Sequence, residues 1–269
     1  MPHSLRGAAL RRAIPRIPAS PGIAPSQPAG NRPSPFLLEA TSVHLTDQAK
    51  YRYHTDAGKA YVLLAESSSK EIVVPEALGG APVTAISRGA FSDLAALERI
   101  ALPDSLTTIG QEAFARCANL RDVQLGNSLE VIGEGAFRGC SHLGRLDLPK
   151  SLTTIGDSAF SNTSLSRLAI PSACKNIGDD ALCTGPSFPG STGLAYASSL
   201  SEISVAPGNR TFTMHGGVLC RALPDGRLDA VFCPGSIGEV MLDERVRSVA
   251  PATFAGTRHI AHLHVSEHL

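Results

Sequence analysis

The chain has 269 residues, enough for one elongated domain or two compact ones. Its 24 basic and 24 acidic side chains cancel, so no global field draws it toward nucleic acid or an anionic membrane surface. No run of about 18 apolar residues occurs, which excludes an apolar transmembrane helix.

Residues 1–35 are proline-rich and carry Arg6, Arg11, Arg12, Arg16 and Arg32, with no acidic residue before Glu39. Little of this stretch can be buried, so a disordered basic tail is expected. Its acid-free character suggests a targeting leader, but it lacks the apolar run of about 7–15 residues that a secretory signal needs. Residues 36–75 read as an N-terminal cap. Tyr51-Arg52-Tyr53-His54 alternates, Asp56-Ala57-Gly58-Lys59 turns, and Ala60-Tyr61-Val62-Leu63-Leu64 returns as a hairpin. Ile72-Val73-Val74-Pro75 follows as the first strand of what comes next.

Residues 76–206 repeat. Phe91, Phe114, Phe137 and Phe160 are 23 residues apart at each step, each preceded by Ala. Ile86, Ile109, Ile132 and Ile155 keep the same interval, and Ile177 follows after 22. Further columns are Leu94, Cys117, Cys140, Thr163 and Leu97, Leu120, Leu143, Leu165. Such a period, with leucines at fixed offsets, predicts a leucine-rich solenoid in which each coil buries its apolar residues only against its neighbours. Each coil should hold a strand (Leu97–Leu102, Leu120–Leu125, Leu143–Leu148, Leu165–Ile170, Leu200–Val205), a second extended segment ending Ile-Gly, and a short helical or 3-10 turn carrying Ala-Phe inward. The predicted class is therefore a repeat solenoid, mostly β, with a hairpin cap and a late hairpin.

The period fails after Ile177. Residues 184–199 are rich in Gly, Pro and Ser and read as a surface insertion. Residues 207–235 carry a second hairpin, Gly217–Leu223 and Arg227–Cys233 around Pro224-Asp225-Gly226. With Gly226-Arg227 as the loop, Cys220 and Cys233 lie opposite each other and are candidates for a disulfide; with Asp225-Gly226 they are diagonal. Residues 236–269 form a last repeat, with Val246-Arg247-Ser248-Val249, Phe254 and a strand Ile260–Val265. Cys117 and Cys140 share one repeat position and are expected to be buried apolar residues.

The segment Leu106-Thr107-Thr108-Ile109-Gly110-Gln111-Glu112-Ala113-Phe114-Ala115-Arg116-Cys117-Ala118-Asn119-Leu120 closely resembles the BspA-type, or treponemal-type, leucine-rich repeat. Gly79–Ile86 is similar to its entry repeat, and Gly208–Phe212 with Gly216–Leu219 is similar to its hairpin linker. The resemblance covers about residues 50–265. It implies a non-enzymatic, adhesin-like binding role toward a host matrix protein or a bacterial partner, at the cell surface or in the periplasm. The irregular fifth repeat departs from the pattern.

Side chains flanking the buried strand residue should face outward. One outward column reads Glu71, Arg99, Asp122, Arg145, Arg167, Glu202, His262; its partner reads Val73, Ala101, Gln124, Asp147, Ala169, Ser204, His264. Arg99, Ala101, Asp122, Gln124, Arg145, Asp147, Arg167 and Ala169 are the candidate partner-binding residues, and the same pattern also suits a solvated ladder of ion pairs with Asp122 between Arg99 and Arg145. No phosphate-loop, zincin or nucleophile-elbow motif occurs, so no catalytic residue, metal ligand or cofactor is assigned. His262 and His264 stand two apart on one strand face and read as surface histidines. The final strand has an edge open to pairing with another chain, so a self-assembling or structural subunit is the alternative reading. An enzyme site hidden in residues 184–235 is a third.

Overall fold

The computed structural model describes residues 42–183, 199–251, 253–254, 257, 259–267 and 269. The basic tail and residues 184–198 of the expected insertion lie outside the described residues.

The N-terminal hairpin forms as the alternation predicts. Lys50–Asp56 pairs antiparallel with Lys59–Glu66, and Ser42–Leu45 adds a third strand outside it. Ala57 and Gly58 take the chain round at φ 48° and 73°, the two left-handed positions that a tight hairpin requires. Lys59–Glu66 then pairs parallel with Ala81–Ile86, and Thr108–Ile109, Val131–Ile132, Thr154–Ile155 and Asn176–Ile177 continue the ladder. The isoleucine column is thus a register: Ile86, Ile109, Ile132, Ile155 and Ile177 pair in turn.

A second sheet lies on another side of the coils. Glu71–Val73, Arg99–Ala101 and Asp122–Gln124 pair parallel, and further on Arg167–Ile170 pairs with Glu202–Val205. The strand expected over Leu143–Leu148 does not form. Gly144 occupies the entry position held by Glu98 and Arg121 in the coils before it, where the Arg121 amide donates to the Glu98 carbonyl at 3.0 Å. Without a side chain to pack, glycine weakens a strand, and the ladder lapses there.

The third side is built from turns. The residue before the Ala of each Ala-Phe pair (Gly89, Glu112, Gly135, Ser158) and of Ala181-Leu182 (Asp180) has positive φ, and so has the residue two after each Phe (Asp93, Arg116, Gly139, Asn162). Bonds such as Ala113 N–H to Gly110 O at 3.3 Å close local turns of 3-10 type, but the left-handed residues stop them from propagating as a helix. The amides of Phe91, Phe114 and Phe137 donate instead to Ala113, Ala136 and Ala159 in the next coil at 2.8–2.9 Å.

Inside, Phe91, Phe114, Phe137 and Phe160 are fully buried and stack face to face. Cys117 and Cys140 are buried beside them, and their thiols meet the Phe91 and Phe114 carbonyls at 3.0 and 3.1 Å. Thr163 takes the same position one coil later and donates its hydroxyl to the Phe160 carbonyl at 2.8 Å.

The late hairpin is part of a four-stranded sheet: Phe212–His215, Val218–Ala222, Leu228–Phe232 and Val246–Val249. Its first strand, entered through left-handed Gly216 and Gly217 from the second, was not anticipated as a strand. Phe212, Leu219 and Phe232 join the solenoid core, whereas Val218, Cys220, Leu228, Ala230, Cys233, Val240, Leu242 and Val246 make a second, smaller one. The loop spans Leu223 to Arg227, whose amide–carbonyl bond of 2.8 Å closes it, so neither two-residue loop applies. Cys220 stands opposite Ala230, and all six cysteines are free thiols. The Cys220–Cys233 disulfide is therefore corrected to two buried thiols. Glu239–Leu242 pairs parallel with His262–Val265 to end the described strands.

Candidate partner-binding face

The outward strand positions form a continuous row only in part. Glu71, Arg99 and Asp122 are neighbours in register, as are Val73, Ala101 and Gln124. Arg99 turns toward Glu71, with Nη2 at 2.9 Å from the carboxylate, rather than toward Asp122. That bond, with the attraction of Glu71, raises the Arg99 pKa further. Asp122 and Gln124 point into solvent.

Arg145 lies within the lapse and does not bracket Asp122. It pairs with Asp147 of its own segment at 3.0 Å, and both side chains are about four-fifths exposed (78% and 80%). Arg167 leans on Glu202 across the ladder at 3.8 Å, and Ala169 is exposed beside Ser204, its register partner. Exposed ion pairs of this kind are worth little, about 0–1 kcal/mol each. The charges on this face are therefore not committed to holding the coils together.

The lapse shapes the face. Gly144, Arg145, Asp147, Ser166, Arg167 and Glu202 rim a depression of about 410 Å³ where the missing strand leaves the sheet open. Four of the eight candidate residues (Arg145, Asp147, Arg167, Ala169) line it. Arg99, Ala101, Asp122 and Gln124 form a separate flat patch on the earlier sheet.

Two residues of the face were missed by the sequence reading. Glu239 and Met241 point outward from the strand opposite His262 and His264. The signal was present, since Glu239-Val240-Met241-Leu242 alternates, but the 23-residue interval does not reach it across the irregular stretch. His264 lies 3.6 Å from Glu239, and among the described residues no group of three or more His, Cys, Asp or Glu is placed to hold a metal ion. No helix among the described residues is long and apolar enough to cross a membrane.

The sequence model of the BspA-type leucine-rich repeat region matches residues 63–186 in six copies. Residues 63–186 are a BspA-type leucine-rich repeat region. This repeat is a protein-interaction module. No curated protein matches the chain. Among solved structures, the chain is similar to the T. pallidum leucine-rich repeat protein (TM-score 0.54, 22% identity), covering 81% of this chain and 79% of that one. It is also similar to a leucine-rich repeat protein from Bacteroides ovatus (TM-score 0.61, 20% identity), covering 84% of this chain and 54% of that one. A third is the pneumococcal vaccine antigen PcpA (TM-score 0.52, 17% identity), with 86% and 66% covered. At these identities the likeness shows the leucine-rich-repeat fold alone.

Proposed function

We propose that the chain is a non-enzymatic, adhesin-like module that binds a host matrix or bacterial surface protein through the strand face. The observation that supports this reading is the set of exposed, mixed-sign side chains, Arg99 and Asp122 on one patch and Arg145, Asp147 and Arg167 on another, carried on a fully packed core. A stacked core holds each patch rigid, and rigidity lowers the ordering cost of docking a protein. The depression at Arg145 and Arg167 is shallow and rimmed by charge, which suits a protein loop better than a small metabolite.

The test is binding of the purified chain to immobilised matrix and serum proteins at two salt concentrations. Saturable binding to one protein that weakens as salt rises is the expected result. Binding that is absent across the panel, or indifferent to salt, contradicts a charged strand face as the contact.

One observation favours a self-assembling subunit as a second reading. Leu263 and Val265 on the final strand are 47% and 51% exposed, although their partners Val240 and Leu242 are buried. A second copy could cover them. Light scattering across micromolar concentrations checks this, and a constant monomer mass contradicts it.

A further inference from the structure

The fifth coil ends in an interrupted hydrogen-bond ladder. In the coils before it, each passes the same four groups to the next. Thr84, Thr107, Glu130 and Thr153 carbonyls accept from Thr107, Glu130, Thr153 and Lys175 at 2.8–2.9 Å. Ile86, Ile109, Ile132 and Ile155 carbonyls accept from Gly110, Gly133, Gly156 and Gly178 at 2.8–2.9 Å. The amides of Gly89, Glu112, Gly135 and Ser158 donate forward to Gln111, Glu134, Asp157 and Asp179 at 2.8–2.9 Å. Those of Phe91, Phe114, Phe137 and Phe160 donate forward at 2.8–3.2 Å.

The equivalents in the fifth coil are the Lys175 and Ile177 carbonyls and the Asp180 and Leu182 amides. Among the described residues none of these four has a hydrogen-bond partner. Backbone groups in a ladder are ordinarily met, so this edge is set to bond another length of backbone.

There is room for one. A groove of about 370 Å³ separates the edge, Ile177 to Asp180, from the late hairpin sheet. The far wall is a register row, Arg221, Asp229 and Ser248. Arg221 rests over the Phe212 ring at 5.8 Å. Asp229 is engaged by the Ser248 hydroxyl at 2.5 Å and by Arg247 at 3.5 Å. The Asp179 and Asp180 carboxylates are exposed at the rim, with no basic side chain of the described residues in ion-pair reach.

We propose that this groove is a second binding site, distinct from the strand face, that takes a short extended peptide segment carrying Lys or Arg. The peptide adds to the edge as the next coil would. Its amide meets the Ile177 carbonyl, its carbonyl meets the Asp180 amide, and its basic side chain meets Asp179 and Asp180. Strand addition of this kind draws affinity from main-chain bonds and specificity from side chains.

The test uses the full chain and the fluorescently labelled peptide Val-Lys-Val-Thr-Lys-Val. Two controls accompany it: the same peptide with alternate amides N-methylated, and one with each Lys replaced by Glu. Anisotropy gives affinity, and hydrogen exchange reads the Asp180 amide. Expected are saturable binding, slowed exchange at the Asp180 amide, and loss of binding on N-methylation. A D179N/D180N variant should bind about tenfold more weakly, from the loss of exposed ion pairs. Asn tolerates the positive φ of Asp180, which keeps the turn intact. No binding at millimolar peptide overturns the proposal. So does binding that ignores N-methylation or leaves the Asp180 amide unprotected. Dimerisation lost in D179N/D180N would place a second copy in the groove and overturn the assignment to a foreign peptide.

Discussion

Phe114 and Phe137 stack with ring centroids 5.2 Å apart and planes 7° from parallel, and both are fully buried. Each ring is wall to the next, with Phe91 5.1 Å above Phe114 and Phe160 6.0 Å below Phe137. Phe114→Ala should cost about 3–5 kcal/mol of unfolding free energy, because the cavity is bounded by two rings that cannot close in. Urea unfolding followed by circular dichroism checks this; a loss below about 1 kcal/mol would show that the column does not carry the core.

Close packing of coil on coil predicts a second effect at glycine. A Cβ at Gly126 would fall 2.1 Å from the Pro103 carbonyl oxygen, against rigid backbone. Gly126→Ala should therefore lose about 1–3 kcal/mol through forced separation of two coils. At Gly144 the nearest atom is the Ser164 carbonyl at an ordinary 3.8 Å. Gly144→Ala should be neutral or gain up to about 1 kcal/mol, by the entropy glycine loses on ordering. Equal losses at both sites would contradict this account of the lapse.

The repeat section was legible because its signal is additive. Ile86, Ile109, Ile132 and Ile155 fall in one interval, and the structure sets them in one ladder. The lapse at Gly144–Leu148 was not legible, because Leu143, Leu146 and Leu148 keep the apolar pattern and only the backbone pairing fails. The turn side, expected as short helical or 3-10 turns, closes as turns of 3-10 type, but the left-handed residues that keep them short were not legible. Composition does not announce that Glu112 or Ser158 will take positive φ, which here is imposed by the bond each amide makes to the next coil. The mixed-sign columns were readable as outward positions, but their pairing was not. Long side chains chose Glu71 for Arg99 and Asp147 for Arg145 over the expected Asp122.

Burial of the thiols leads to a chemical prediction. Burial pushes Cys117, Cys174, Cys220 and Cys233 up to about 11 and Cys183 up to about 12. Cys140 is raised by the same cause. Only the thiolate reacts, so at pH 8 the native chain should resist alkylation while the urea-unfolded chain takes six adducts, one per free cysteine. Four adducts in the unfolded chain, without reductant, would restore the Cys220–Cys233 disulfide.

The turn between the last strands predicts an acid response. Asp243 accepts from the Arg245 guanidinium at 3.0 and 3.2 Å and lies 3.1 Å from the His215 ring. The Arg245 bonds, with help from His215, hold its pKa at about 2. A depressed folded-state pKa contributes stability that is complete above the ordinary carboxylate range, about 3.9, and is lost as pH falls toward the folded value. Asp243→Asn should therefore flatten part of the decline in stability between pH 4 and 2. Urea midpoints of both proteins at matched pH check it; parallel curves would contradict it.

The most direct measurement of the central claim compares the chain with a variant in which Arg99, Arg145 and Arg167 are all changed to Glu, against a protein captured from the matrix and serum panel. The three side chains are exposed, so the variant should keep its circular dichroism and urea midpoint. The account predicts that it loses saturable binding. Equal binding by both forms, with the fold retained, would mean that the strand face is only a solvated ladder and that contact is made elsewhere.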